Sequence, residues 1–159
     1  MEELIKKSED LGFTIGLLGG RDGVAELAAE RLLEKYPKLK VVFAKSGGEV
    51  DNDGNVIARN EMTEDCDILF VAFGPPKQEK WIAKNLKKIP VKVAMTVGGS
   101  LDIISGKIPR APKILRTLGL EWIFRLIMEP WRVKRQLALI EYLLLILKYG
   151  KYKNSHLQD

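Results

Sequence analysis

Cysteine is almost absent from this sequence, and its scarcity limits the class of protein. The 159 residues contain a single cysteine, Cys66, so no disulfide can form within the chain, and a reducing compartment suits it. Cys66 stands immediately before a run of apolar residues, where a small thiol usually packs in the core. We therefore predict a buried cysteine that serves packing rather than chemistry.

Long hydrophobic runs are missing as well. A nearly apolar stretch, residues 137–147, has eleven residues and contains Glu141. As a helix it would measure about 16 Å, which is too short for a hydrocarbon core of about 30 Å. The opening sequence MEELIKKSEDLG has the pattern of a charged amphipathic helix, without the apolar centre of a signal peptide. We expect neither a membrane span nor export.

The spacing patterns of common cofactor and metal sites are also lacking. The glycines of residues 17–23 follow a predicted strand, but they do not have the spacing of the dinucleotide-binding fingerprint. Such a turn can admit a phosphate or a ribose to the backbone, or it can be purely structural. Glu49, Asp51 and Asp53 are close together, yet they lack the spacing of a calcium loop with its distal glutamate. We predict no cofactor and no metal site.

What the sequence does contain is an alternation of apolar strands and helical patterns. The predicted strands are Phe13–Leu18, Lys40–Ala44, Ile68–Ala72 and Val91–Val97. The first, third and fourth end at a glycine or proline turn, and Asp22 is the expected amino-terminal cap of the helix after the first. Parallel strands require crossovers of this kind. We predict an α/β fold over residues 1–112: a Rossmann-like parallel sheet with helices on both faces.

The stretch Asp67–Ile82 is the centre of this arrangement. Its strand runs into Gly74 and two prolines, which cannot donate to a sheet ladder, and then into a helix. Ligands of open α/β sheets bind at such carboxyl ends. Lys77 and Gln78 begin the helix and offer a charge and an amide, which together with helix N–H groups suit a nucleotide diphosphate. The alternative is that Lys77 is an ordinary solvated residue and that the prolines only end the strand.

The carboxyl third differs from the rest in charge and hydrophobicity. Residues 107–159 carry 11 Lys and Arg against 4 Asp and Glu, whereas residues 1–106 carry 15 against 17. The apolar pattern predicts a helical segment over residues 113–128, which Pro130 breaks, and a second helix over residues 131–149. A basic cluster lies near the break: Arg125, Arg132, Lys134 and Arg135. We predict that residues 113–159 form a helical appendage on an anionic membrane surface. Alternatively, its helices pack on the sheet or on a second copy of the chain. The apolar residues fit lipid better than nucleic acid, so we expect no nucleic-acid partner.

Six motifs follow one another in a single order over nearly the whole chain. They are residues 17–20 (LLGG), 70–81 (FVAFGPPKQEKW), 97–99 (VGG), 110–112 (RAP), 118–122 (LGLEW) and 129–132 (EPWR). Together they resemble the WecG/TagA/CpsF glycosyltransferase family. The resemblance implies a bacterial, inverting, metal-independent transferase that moves N-acetylmannosamine, or its uronic acid, from UDP to polyprenyl-diphosphate-linked N-acetylglucosamine. It further implies a role in teichoic acid or surface polysaccharide synthesis, and a cytoplasmic enzyme peripheral at the inner face of the cell membrane.

The resemblance also assigns residues to the site. The residues expected to bind the UDP-sugar donor are Gly19, Gly20, Gly74, Lys77, Gln78, Gly98 and Gly99. The glycines would let backbone amides approach the nucleotide, and Gln78 would enter its pocket. The basic cluster is expected near the lipid diphosphate of the acceptor, since guanidinium groups bind phosphate bidentately.

Two departures from the family pattern concern catalysis and one crossover. Family members carry a further amino-terminal region before the segment that matches Gly12, and a Pro-Asp-Gly motif there supplies the proposed general base. We therefore expect the catalytic residue to lie outside this chain, and the chain alone to have little activity. The stretch between Gly48 and Asp67 is also shorter than in relatives. The alternative function is a non-catalytic module that binds a nucleotide or docks on a membrane.

Overall fold

The computed structural model describes residues 1–46, 50–51, 53–55, 64–128, 130, 142 and 144–146. In chain order its elements are α1 (Glu2–Leu11), β1 (Thr14–Gly19), α2 (Val24–Lys35), β2 (Lys40–Lys45), β3 (Cys66–Ala72), α3 (Lys77–Asn85), β4 (Val91–Thr96), α4 (Ser100–Ile104), α5 (Lys113–Thr117) and α6 (Glu121–Met128). A 3₁₀ turn, Leu86–Lys88, follows α3. The chain divides into two compact units, Met1–Arg110 and Ala111–Asp159.

The four strands form one parallel sheet in the order β2-β1-β3-β4. Ile15 of β1 lies opposite Val41 on one side and Ile68 on the other, and β4 pairs with the far side of β3. Crossovers between parallel strands place helices over the sheet. The inner strands β1 and β3 are therefore covered on both faces, which explains their nearly continuous apolar sequences. The predicted α/β fold with a parallel sheet is confirmed.

One face of the sheet packs against α1, α2 and α4. Ile15 and Leu17 of β1 and Phe70 of β3 are fully buried on this face. The helices contribute Ile5, Val24, Ala25, Ala28, Ala29, Leu32 and Leu101 to the same cluster. Truncation of a buried phenylalanine such as Phe70 to alanine typically costs about 3–5 kcal/mol. This layer therefore supplies a large part of the stability of the first unit.

The opposite face packs against α3. Leu69 and Val71 of β3 share a buried cluster with Trp81 of α3, whose ring lies 5.6 Å from that of Phe73 between centroids. Cys66 belongs to this cluster, and its burial, together with the nearby carboxylates of Asp67 and Asp65, raises the pKa of the thiol to about 11. The predictions of helices on both faces and of a buried cysteine are confirmed.

Two local predictions are wrong. The amino-terminal cap of α2 is Gly23 rather than Asp22, because the backbone turns left-handed at Gly23 (φ 73°) and the helix begins at the next residue. The apolar pattern over residues 113–128 forms two helices, α5 and α6, instead of one. Gly119 between them takes φ 71°, a conformation that suits glycine and ends a helix.

Other predictions concern parts of the chain that the structure describes little or not at all. Of the predicted helix 131–149 it describes residues 142 and 144–146, which are helical. Of the three acidic residues after β2, Glu49 lies outside the described residues. Among the helices of the described part, none has the length and apolar character needed to cross a membrane.

Candidate functional site

The carboxyl ends of the strands meet along one side of the sheet, which we call the carboxyl edge. Gly19 at the end of β1 lies opposite Ala72 of β3, and Val71 lies opposite Thr96 of β4. The turns after β1, β3 and β4 therefore begin side by side, where open α/β sheets bind their ligands. The residues predicted to bind the donor all lie at these strand ends, in these turns or in the first turn of α3: Gly19, Gly20, Gly74, Lys77, Gln78, Gly98 and Gly99.

Two glycines, Gly19 and Gly20, lead from β1 into the turn before α2. Gly19 and Gly20 have φ angles of 104° and 83°, in a region that other residues rarely adopt. A Cβ atom on Gly19 would lie 2.8 Å from the carbonyl carbon of Ala72, and the Gly20 N–H donates to the Ala72 carbonyl at 3.0 Å. Close contact between β1 and β3 thus explains Gly19, while a contact of either glycine with a nucleotide stays a prediction.

Ser46 and Glu26 hold the same turn by hydrogen bonds, and neither was among the predicted site residues. The Gly23 N–H donates to Ser46 Oγ at 2.9 Å, and the Ser46 hydroxyl and N–H both donate to the Glu26 carboxylate. Burial opposes ionisation of Glu26, but these bonds and the charge of Lys107 outweigh it and lower its pKa. The available signal was weak: a serine directly after the end of β2, and a glutamate in the first turn of α2, the helix before that strand.

Lys77 begins α3 and is half-buried. Its ammonium group donates to the carbonyl oxygen of Val50 at 2.5 Å. Gly74, four residues before Gln78, takes φ 78°, and its carbonyl accepts the Gln78 N–H at 3.1 Å. Lys77 therefore contributes positive charge near the carboxyl edge, but its ammonium is bonded to the segment that follows β2.

Gln78 lies inward from Lys77, and its side chain is 5% exposed. Its Oε1 accepts the N–H of Gly98 at 3.1 Å, and its Nε2 donates to Glu79 Oε1 at 2.8 Å. The amide thus lies between the start of α3 and the turn after β4, with both of its ends hydrogen-bonded. The predicted place of this side chain in the donor pocket stays a prediction.

The turn after β4 contains Gly98 and Gly99. Gly98 has φ 51°, and in the part of the chain that the structure describes no heavy atom beyond its chain neighbours lies within 4 Å of the position that a Cβ atom would occupy there. Gly99 has φ −78° and precedes α4, so its conformation does not demand glycine. Val97 fixes the start of the turn through its N–H, which donates to the Val71 carbonyl at 2.8 Å. Open space thus borders the backbone at Gly98.

The opposite side of the sheet, the amino edge, has a different chemistry. Asp67 accepts hydrogen bonds from the N–H and the hydroxyl of Thr14 at 2.7 and 2.9 Å and forms an ion pair with Lys92 at 2.6 Å. The Lys92 and Thr14 bonds lower the pKa of Asp67 to about 2. A cavity of about 540 Å³ adjoins these residues. It lies away from the glycine turns, and of its two aspartates, Asp65 and Asp67, the second is paired with Lys92.

The basic residues expected near the acceptor are not placed by the structure. Arg132, Lys134 and Arg135 lie outside the described residues, and Arg125 is described only as part of the backbone of α6. In the described ranges there is no group of three or more His, Cys, Asp or Glu side chains that could hold a metal ion. The roles of the basic cluster therefore stay predictions.

The chain matches a known protein family over almost its whole length. The model of the glycosyl transferase WecG/TagA/CpsF family matches residues 1–156. Over 141 residues the chain is 37% identical to the N-acetylglucosaminyldiphosphoundecaprenol N-acetyl-beta-D-mannosaminyltransferase of Bacillus subtilis (strain 168). This similarity covers 89% of the chain and 54% of the relative. The chain thus spans about half the length of that curated relative.

Proposed function

The chain belongs to the glycosyl transferase WecG/TagA/CpsF family, and from this premise we propose that it carries the donor-binding part of an N-acetylmannosaminyltransferase. The donor in this proposal is UDP-N-acetylmannosamine or its uronic acid, and the acceptor is polyprenyl-diphosphate-linked N-acetylglucosamine. The product enters teichoic acid or another surface polysaccharide. The observation that carries the proposal is the meeting of three glycine-containing turns at the carboxyl edge, in a chain of this family.

The diphosphate of UDP suits the chemistry of this edge. Four residues separate the end of β3 from the first turn of α3, and the start of a helix carries partial positive charge that attracts anions. Among the described residues, no side chain or backbone from elsewhere fills the space at the Cβ position of Gly98, so a phosphate or ribose can come close to the backbone there. In the proposal, the diphosphate lies between the start of α3 and the backbone of Gly98, and Lys77 adds positive charge nearby.

The proposed reaction is an inverting displacement at the anomeric carbon of the donor sugar. A hydroxyl oxygen of the acceptor forms the new bond, the bond to the UDP oxygen breaks, and UDP leaves with the electron pair. A general base takes the hydroxyl proton, and we assign that base to the part of the relatives that this chain does not cover. Hydrogen-bond donors of the carboxyl edge and the arginines of the basic cluster stabilise the leaving UDP and the acceptor diphosphate, without a metal ion.

The second unit is proposed to bring the site to its lipid-linked acceptor. Trp122 and Ile127 of α6 are 52% and 72% exposed, and Leu144 beyond Pro130 is 60% exposed. Apolar side chains of this kind beside basic residues are typical of helices that lie in a membrane interface. We propose a peripheral position at the inner, anionic face of the cell membrane. A second copy of the chain is the alternative partner for these apolar side chains.

A second candidate function is a module that binds the nucleotide or the membrane without catalysis. The observation behind it is that the features described here, the glycine turns of the carboxyl edge and the exposed apolar side chains of α6, suit binding of a nucleotide or of a membrane. The two candidates differ in transferase activity, which is measured on a polypeptide that matches the full length of the relative.

Calorimetric titration of the chain with UDP tests the shared part of the proposal. We expect UDP or a UDP-sugar to bind more tightly than NAD or S-adenosylmethionine, because the carboxyl edge lacks the dinucleotide spacing of glycines. The variant Lys92→Met is the matched control, since Lys92 lies at the amino edge, and it should bind UDP as the wild type does. Equal or tighter binding of NAD would overturn the proposal.

A further inference from the structure

Gln78 connects two turns of the carboxyl edge. Its backbone N–H donates to Gly74, in the turn after β3, and its side-chain Oε1 accepts from Gly98, in the turn after β4. We propose that Gln78 is a positioning residue: it fixes the Gly98 turn against the start of α3 and acts on the donor through that turn, without touching the donor itself. The inferred effect on UDP binding rests on the proposed function. The hydrogen bond between Gln78 and Gly98, which we call the tether, does not.

Glu79 gives the amide of Gln78 its orientation. A carboxylate can only accept hydrogen bonds, so its bond at 2.8 Å selects the Nε2 end of the amide and leaves Oε1 for Gly98. Burial of the amide makes each bond matter, because an unpaired polar group away from water is costly. Glutamine fits this position because it carries a donor and an acceptor on one flat group.

The tether adds to two backbone bonds of the turn, from the Val97 N–H to the Val71 carbonyl and from the Ser100 N–H to the Val97 carbonyl, neither of which is made by Gly98 itself. Gly98 has no side chain and takes φ 51°, and among the described residues other than its chain neighbours no heavy atom lies within 4 Å of its missing Cβ. Glycine adopts many backbone conformations in the absence of such a restraint. With the Gln78 bond, the Gly98 backbone is held where it borders the start of α3, and the two turns present a single preformed surface.

Amide hydrogen exchange at Gly98, measured by NMR without any nucleotide, tests the tether. In Gln78→Met, which keeps the length of the side chain but removes both bonds, we expect exchange at Gly98 to be roughly fivefold faster, as the loss of one hydrogen bond predicts. Asn85→Leu removes another amide bond of α3, the one to the Trp81 carbonyl, and should leave the exchange rate unchanged.

A double variant that exchanges the side chains of residues 78 and 79 tests whether the hydrogen bond to Gly98 can be restored. Gln78→Glu together with Glu79→Gln keeps one acceptor for Gly98 and one bond between the two side chains, with donor and acceptor reversed. We expect slow Gly98 exchange to return in this double variant. Unchanged Gly98 exchange in Gln78→Met, or no recovery in the double variant, would overturn the tether.

UDP titration of the same variants separates positioning from direct contact. If Gln78 acts through the turn, Gln78→Met weakens UDP binding severalfold and speeds Gly98 exchange in the free protein, while Asn85→Leu alters neither. Weaker UDP binding with unchanged Gly98 exchange would show that Gln78 contacts the donor directly, and would overturn the inference. Absence of UDP binding in the wild type would instead refute the proposed function, and the exchange data would still decide the tether.

Discussion

The two edges of the same four-stranded sheet are held together by different kinds of bonds. At the amino edge, Asp67 binds a hydroxyl, an N–H and the ammonium of Lys92. At the carboxyl edge, backbone N–H groups of glycine turns donate to uncharged side-chain oxygens, those of Ser46 and Gln78. At the amino edge a charged side chain makes the bonds, whereas at the carboxyl edge the backbone of glycines donates them. The carboxylates at the carboxyl edge, those of Glu26 and Glu79, accept hydrogen bonds from Ser46 and Gln78. A diphosphate can approach the glycine backbone at this edge, so the comparison favours the carboxyl edge as the donor site.

The largest expected effect concerns catalysis. If the carboxyl edge binds the donor and the general base lies in the part of the relatives beyond this chain, residues 1–159 alone should transfer sugar about 10²- to 10⁴-fold more slowly than an extended polypeptide. The measurement is transfer of labelled N-acetylmannosamine from UDP to a lipid-diphosphate acceptor. Full activity of residues 1–159 alone would mean that the catalytic group lies within this chain.

The next prediction concerns membrane binding and compares the two units of the chain instead of the two edges of the sheet. Changing Arg125, Arg132 and Arg135 together to glutamine should weaken binding to anionic vesicles by about 3 kcal/mol, or somewhat over a hundredfold, at roughly 1 kcal/mol per charge. The control changes Lys6, Lys7 and Lys88 of the first unit to glutamine and should have little effect. Liposome flotation measures both, and equal binding to neutral and anionic vesicles would favour an interface between two copies of the chain.

A third prediction compares the two ends of β1. Gly19→Ala should destabilise the protein by about 3 kcal/mol. The alanine would have to keep a strained positive φ, and its Cβ would approach the Ala72 backbone to 2.8 Å. Gly12→Ala at the amino edge should cost only about 1 kcal/mol, since its φ is also positive but the nearest atom is the end of a lysine side chain at 3.8 Å. Urea unfolding gives both values, and equal losses would contradict the close contact of β1 and β3.

The smallest effect is a change in the dependence of stability on pH. The pKa of Asp67 is lowered to about 2 in the folded chain by Lys92 and Thr14, against about 3.9 for an unperturbed aspartate. Its ionised form therefore stabilises the fold above about pH 4, and this contribution is lost as the pH falls toward 2. Asp67→Asn should make stability fall less steeply in that range and leave UDP affinity unchanged. An equally steep fall in the variant would contradict the assignment.

The strands of the sheet could be predicted because each is indicated by residues that are neighbours in the sequence. Five apolar residues before Phe73, followed by glycine and two prolines, indicate a buried strand that ends there. Parallel topology then places such strand ends together, and the register confirms it. The burial of Cys66 followed from the same local context.

The bonds across the site could not be predicted in this way. Gln78 and Gly98 are twenty residues apart in the sequence, and Glu26 and Ser46 are equally distant, so no local pattern shows that they meet. Asp22 was expected to cap α2 because aspartate commonly does so, but the left-handed backbone at Gly23 moves the cap by one residue. The missed contacts all depend on how two turns pack against each other, which only the assembled sheet determines.

The most direct test of the account is an NMR titration of the ¹⁵N-labelled chain with UDP. We expect the amide signals of Gly20, Gly74 and Gly98 at the carboxyl edge to shift in a saturable manner. Those of Thr14, Asp67 and Lys92 at the amino edge should stay in place. Saturable shifts confined to the amino edge, or no saturable shift at any of the three glycines, would contradict the central claim that the glycine turns form the donor site.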